Sequence, residues 1–137
     1  MFLTKECDYG VRIIRALADG ELKTVEVISS AEFIPHKYCY KILKKLEHAG
    51  FLKSSRGRDG GYRLIKSPDD FSIFDVIITI NGNLFLNECL KEENSCPNNT
   101  GEKAETCAVH KELKRIQKIV VNEMKGKSVK ATMEAEI

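Results

Sequence analysis

The spacing of apolar residues divides the chain into helical and extended stretches. Over residues 4–19, Tyr9, Ile13, Ala16 and Leu17 recur at helical spacing and predict a buried face. Thr4 stands where an N-cap belongs, Glu6 and Asp8 suit the positive end, and Gly20 can end the helix. A shorter helix capped by Thr24 carries Val27, Ile28 and Ala31. After the turn Glu32-Phe33-Ile34, Pro35 opens a third helix, because a first turn does not need its missing N–H. That helix runs to about Ala49, with Gly50 beyond it. Cys39, Ile42, Leu43 and Leu46 form its apolar stripe, and Lys37, Tyr40, Lys41, Lys44 and His48 lie nearly opposite.

Residues 51–55 and 61–65 read as two strands around Arg56-Gly57-Arg58-Asp59-Gly60, whose glycines supply the positive φ angles of a tight hairpin. A short helix, a tight turn, a helix with a basic and aromatic face, and a basic-tipped hairpin make a winged helix-turn-helix over residues 1–66. The fold expected is mainly α with a small β wing. Residues 67–86 form a linker and a short helix, in which Ser72 and Asp75 make a capping box ahead of Val76, Ile77 and Ile80. Residues 87–107 form a polar loop broken by Pro97 and Gly101. Helical order returns over 108–126, where Val109, Leu113, Ile116, Val120 and Met124 make a seam for a partner helix. With the compact body closed by Ile65, this reads as a dimerisation helix, the alternative being packing on the chain's own core, and residues 127–137 read as a fraying tail.

The net charge of +2 hides an asymmetry. Residues 36–66 hold nine basic and two acidic side chains, a local +7, while residues 67–137 are net −3. A polyanion partner is one reading of that segment, and a solvated surface is the other. On duplex DNA, the start of the third helix would enter the major groove, with His36, Lys37, Tyr38, Tyr40, Lys41 and Lys44 as candidate contacts. Arg56 and Arg58 would approach the adjacent minor groove. His36 is either a phosphate contact or a plain exposed histidine. Hydrophobic residues at 42% support a packed core rather than disorder. No apolar run approaches the about 18 residues of a membrane span, and the first residues lack a signal peptide's apolar stretch. The expected location is the cytoplasm, with no membrane partner. An enzyme is disfavoured: there is no nucleophile elbow, no Walker motif and no His-Glu-x-x-His.

Five cysteines, an odd number with no secretion signal, argue against a disulfide framework. Cys39 reads as core, and Cys7 as a spare ligand or a surface residue. The remaining spacing is Cys89-x6-Cys96-x10-Cys107-x2-His110. Three thiolates and an imidazole suit an iron–sulfur cluster. They also suit zinc, although a close Cys-x2–4-Cys pair is missing, or they bind nothing.

The residues now quoted carry a resemblance. Met1-Phe2-Leu3-Thr4, Tyr9-Gly10, the helix ending at Ala49-Gly50, the hairpin Arg56-Gly57-Arg58-Asp59-Gly60-Gly61-Tyr62-Arg63-Leu64, and Ser72 to Ile77 resemble the Rrf-two family of bacterial winged-helix regulators, in its iron–sulfur sensor branch. The resemblance covers about residues 1–125. It implies a homodimeric regulator, a repressor by expectation, that binds an imperfect palindromic operator in double-stranded DNA. It also implies a 2Fe–2S or 4Fe–4S cluster sensing redox state, nitric oxide or iron–sulfur status. Cys89, Cys96, Cys107 and His110 are then the ligands, with Asp8 the alternative fourth, because a carboxylate at that position completes the cluster from the partner subunit in some members. The ten-residue second gap is longer than is usual in the family. The alternative is a regulator of the same family with zinc or no metal, answering to a protein or small molecule.

Overall fold

The computed structural model describes residues 3–91 and 107–135. Helices α1 (Lys5–Leu17), α2 (Val25–Glu32) and α3 (His36–His48) are followed by strands β1 (Leu52–Ser55) and β2 (Gly61–Leu64). Then come α4 (Ile73–Asn81), a short 3-10 turn (Glu88–Leu90), α5 (Ala108–Lys125) and α6 (Val129–Glu134). The strands form one antiparallel hairpin with Leu52 opposite Leu64 and Ser55 opposite Gly61. Mainly α with a small β wing is the fold observed.

Local chemistry sets the helix starts. Thr4, Thr24 and Ser72 each accept a hydrogen bond from a backbone N–H of the first turn, and Asp75 answers Ser72 to complete the capping box. The α3 stripe of Cys39, Ile42, Leu43 and Leu46 is wholly buried, together with Ile13, Ile14, Leu17 and Ile28. Gly10 lets α1 and α4 cross closely, because a Cβ there would collide with the Ile80 side chain.

The turn between α2 and α3 is held from several sides. Phe33 adopts a left-handed φ of 53° while 87% exposed, a conformation that costs an L-residue about 1–2 kcal/mol. Its N–H and that of Ile34 both donate to Ser29 O. Arg12 donates to Glu32 O at 2.8 Å, and Arg15 pairs with the buried Glu32 carboxylate. This network from α1 offsets the strain and fixes the angle at which α3 leaves the turn.

Several expectations are corrected. The body is not closed by Ile65: Phe71, Val76, Ile77, Ile80, Leu84 and Val129 belong to the same core as α1 and α3. The fraying tail is instead α6, capped by Ser128, with Val129 N–H donating to Phe71 O at 2.8 Å. On α2 only Ile28 of the expected apolar trio is buried, and Val27 and Ala31 are exposed. Cys7 is neither a surface residue nor a ligand in reserve. It is 1% exposed, receives the Thr4 hydroxyl at 3.3 Å and turns its thiol toward Ile77 O. Its burial depends on α4, which lies some seventy residues away in sequence and is the partner of α1.

Candidate nucleic-acid interface and thiol site

The buried stripe of α3 fixes what the opposite side presents. Lys37, Lys41, Lys44 and His48 form an exposed ridge, flanked by half-exposed Tyr38 and Tyr40. Tyr38 leans on Tyr9 of α1, ring centroids 6.1 Å apart. Lys44 Nζ lies 5.6 Å from the Tyr40 ring and 5.8 Å from the Tyr62 ring of β2, so the ridge continues into the hairpin. Glu47 couples the two elements, accepting from the Ser54 N–H at 3.3 Å and from its hydroxyl. A hollow bordered by Thr24, Lys44, Ser54, Arg56 and Tyr62 lies between α2, α3 and the hairpin. Arg56 and Arg58 are exposed at the tip.

The hairpin is anchored to the protein through β2. Tyr62 N–H donates to Lys23 O at 2.8 Å, and Lys23 N–H donates to Tyr62 O at 2.9 Å. Gly61, at φ 152°, lies against that bridge, and a Cβ there would be 2.5 Å from Lys23 O.

Several cations of the basic segment are paired within the fold, Lys41 and Lys45 by a carboxylate from outside it and Lys44 by Glu47, which the +7 already counts. Glu6 of α1 bonds Lys41 at 2.7 Å and Lys45 at 3.1 Å, Glu47 bonds Lys44 at 3.1 Å, and His36 lies 3.4 Å from Glu26. Hydrogen bonds from Lys41 and then Lys45 hold the Glu6 carboxyl below its ordinary range, and Ser54 does the same for Glu47. Among the described residues, Lys37, Arg56 and Arg58 have no ion-pair partner. The Glu6 bridge spans 35 residues, and no local pattern in the sequence signals it.

Two of the four ligand candidates, Cys107 and His110, stand where α5 begins. Cys107 is the N-cap of α5, and its sulfur accepts from His110 N–H at 3.5 Å. His110 Nδ1 is buried and has no hydrogen-bond partner among the described residues. Cys89 is half-buried in the 3-10 turn, which packs on α5. Cys96 lies outside the described residues. Among the described residues no three ligating side chains cluster, so the described donors are Cys89, Cys107 and an imidazole with an open nitrogen. That donor set fits soft iron. Asp8 is engaged otherwise: Arg12 bonds it at 2.5–3.2 Å and holds its carboxyl below the ordinary range. Burial pushes the Cys39 thiol up to about 11, in keeping with a core residue.

Helix α5 has an apolar side and no buried residue. Val109 and Ile119 are 66% and 48% exposed, and Leu113, Ile116 and Val120 are half-covered. No helix among the described residues is long and apolar enough to cross a membrane.

Residues 3–135 match the Rrf2 family, described as an iron-dependent transcriptional regulator. The HTH-type transcriptional regulator NsrR of Shouchella clausii is 32% identical over 100 residues, 70% of this chain and 67% of that protein. The chain spans about two thirds of the length of such relatives. CymR, the global cysteine regulator of B. subtilis, superimposes with a TM-score of 0.76 at 22% identity, over 100% of this chain and 99% of that one. T. potens IscR gives 0.71 at 20% identity, over 98% and 87%. At these identities the two structures speak for the fold alone.

Proposed function

We propose that this chain, which belongs to the Rrf2 family of transcriptional regulators and is not an enzyme, acts in the cytoplasm as a homodimer on an imperfect palindromic operator. The observation that carries the reading is the exposed ridge of Lys37, Lys41 and Lys44 on α3, whose Lys44 borders the same hollow as Arg56 of the hairpin. Lys37, Tyr38 and Tyr40 at the start of α3 reach base edges in the major groove, and His36, Lys41 and Lys44 approach its phosphates. Arg56 and Arg58 enter the neighbouring minor groove. The exposed Val109 and Ile119 and the half-covered Leu113, Ile116 and Val120 of α5 support pairing with a second copy, which sets the spacing of the two reading helices, while Val121 and Met124 pack on the chain's own core.

The test is anisotropy on a labelled duplex selected by the protein from a random pool. Lys37→Ala combined with Arg58→Ala should weaken binding roughly 10–100-fold at matched salt, as expected for two lost contacts. Both side chains are exposed, so the melting temperature should hold. Unchanged affinity would remove this surface from the reading.

Cys89, Cys96, Cys107 and His110 are the residues we assign to an iron–sulfur cluster, 2Fe–2S or 4Fe–4S. The open Nδ1 of His110 and the engagement of Asp8 with Arg12 favour His110 as the fourth ligand. When bound, a cluster supplies an oxidisable and nitric-oxide-sensitive group at the head of α5. The chain's own part is to hold that head: Cys107 caps α5, and Gln117 receives the Leu86 N–H at 2.9 Å, so the approach from the 3-10 turn is tied to the helix. Repression follows if the loaded form is the tight binder. Protein isolated without oxygen should show visible charge-transfer absorption that air or nitric oxide bleaches. Colourless protein with stoichiometric zinc would favour the second reading, a family member with zinc or no metal that answers to a protein or small molecule. That no three ligating side chains cluster among the described residues is the observation on that side.

A further inference from the structure

Among the lysines of α3, Lys41 and Lys45 share a partner from a different helix, Glu6 of α1, and for Lys41 that carboxylate is the one hydrogen-bond partner among the described residues. Glu6 spends one carboxylate oxygen on Lys41 at 2.7 Å and the other on Lys45 at 3.1 Å. Lys45 is further tied to Ile80 O at 3.2 Å, so it has a second anchor in α4. Lys41 has no other hydrogen-bond partner among the described residues, and its side chain is 55% exposed on the outer ridge beside Lys37 and Lys44. The remaining carboxylates near the ridge differ. Glu47 also accepts from Ser54 and so holds the hairpin, and Glu26 faces a histidine that need not be charged.

We propose that Glu6 is a specificity-setting residue: it keeps Lys41 neutralised against generic DNA and releases it only where base contacts have already fixed the helix in the groove. The inference rests on the DNA-reading role proposed above. Sequence-independent affinity comes from lysines that neutralise phosphates and release counterions. A lysine already paired to a fixed carboxylate releases almost none, because the phosphate must first displace that carboxylate. Glu6 is itself 30% exposed at the rim, so a phosphate arriving out of register meets a like charge. Once Lys37, Tyr38 and Tyr40 are seated, the phosphate is held close to Lys41 and the exchange becomes favourable. The operator therefore gains from Lys41 while random sequence does not.

The experiment uses the full chain, a random-sequence duplex and the selected operator duplex, each titrated from low to moderate salt. Glu6→Gln removes the charge and keeps the shape. It should bind the random duplex roughly three- to tenfold more tightly at low salt, with a salt slope steeper by about one. The operator-to-random ratio should fall accordingly. In a Lys41→Gln background the same Glu6→Gln change should leave the slope where it was, because the lysine to be released is gone. A slope and ratio equal to the parent's would overturn the inference. So would an equal rise in both backgrounds, which would mark a general charge effect. A parent that binds neither duplex would instead overturn the DNA-reading role itself.

Discussion

Replacing Val129 with aspartate is expected to lower the unfolding free energy by about 3 kcal/mol, in the range of a charge forced into a core position. Val129 is 1% exposed and is the point at which the C-terminal segment enters the core. It is seated there by Ser128 at the N-cap of α6, by its own N–H on Phe71 O, and by Lys130 N–H on Pro68 O at 2.9 Å. A carboxylate loses its hydration in that seat. The molecule can respond by undocking α6 from residues 68–72, which sets an upper limit on the loss. Urea denaturation measures the change, and limited trypsin digestion should show faster cleavage at Lys127 and Lys130. The seat matters for more than stability, since α6 closes on residues 68–72, directly after the hairpin. A tail with no seat would give an unchanged melt and unchanged digestion.

Gly61→Ala should cost about 2–3 kcal/mol and weaken operator binding at least tenfold at temperatures where the protein is still folded. Two effects combine. The residue has φ 152°, at the edge of the range that disfavours a side chain, and the added Cβ would be 2.5 Å from Lys23 O and 2.7 Å from Lys23 C. Both are backbone atoms and cannot swing aside. The hairpin must then move off Lys23, and the paired hydrogen bonds between Lys23 and Tyr62 go with it. Tyr62 also lies by Lys44, and Ser54 by Glu47, so a displaced hairpin disturbs the ridge of α3 as well. Circular dichroism gives the stability and anisotropy the affinity. Full binding by a folded Gly61→Ala protein would mean that the hairpin is no part of the reading surface.

Much of the candidate interface was legible before any coordinates, because its causes are local. The caps at Thr4, Thr24 and Ser72 and the two-faced pattern of α3 depend on residues within about four positions of each other. The Asp8–Arg12 pair, four apart on α1, is local in the same sense, and it takes the Asp8 carboxylate away from a ligand role. The thiol site was legible only as a spacing. The residues between Cys89 and Cys107 lack a period, and Cys96 lies outside the described residues.

The sequence by itself determined the elements, the polarity of their faces and the concentration of cations between residues 36 and 66, since each follows from neighbours along the chain. The tertiary structure alone decided that Cys7 and Val129 are core and that α4 and α6 complete the body. It alone showed that Lys41 is bound by a glutamate 35 residues away. Those outcomes depend on which surfaces meet after the helices pack. A burial or an ion pair across such a distance has no periodicity to announce it.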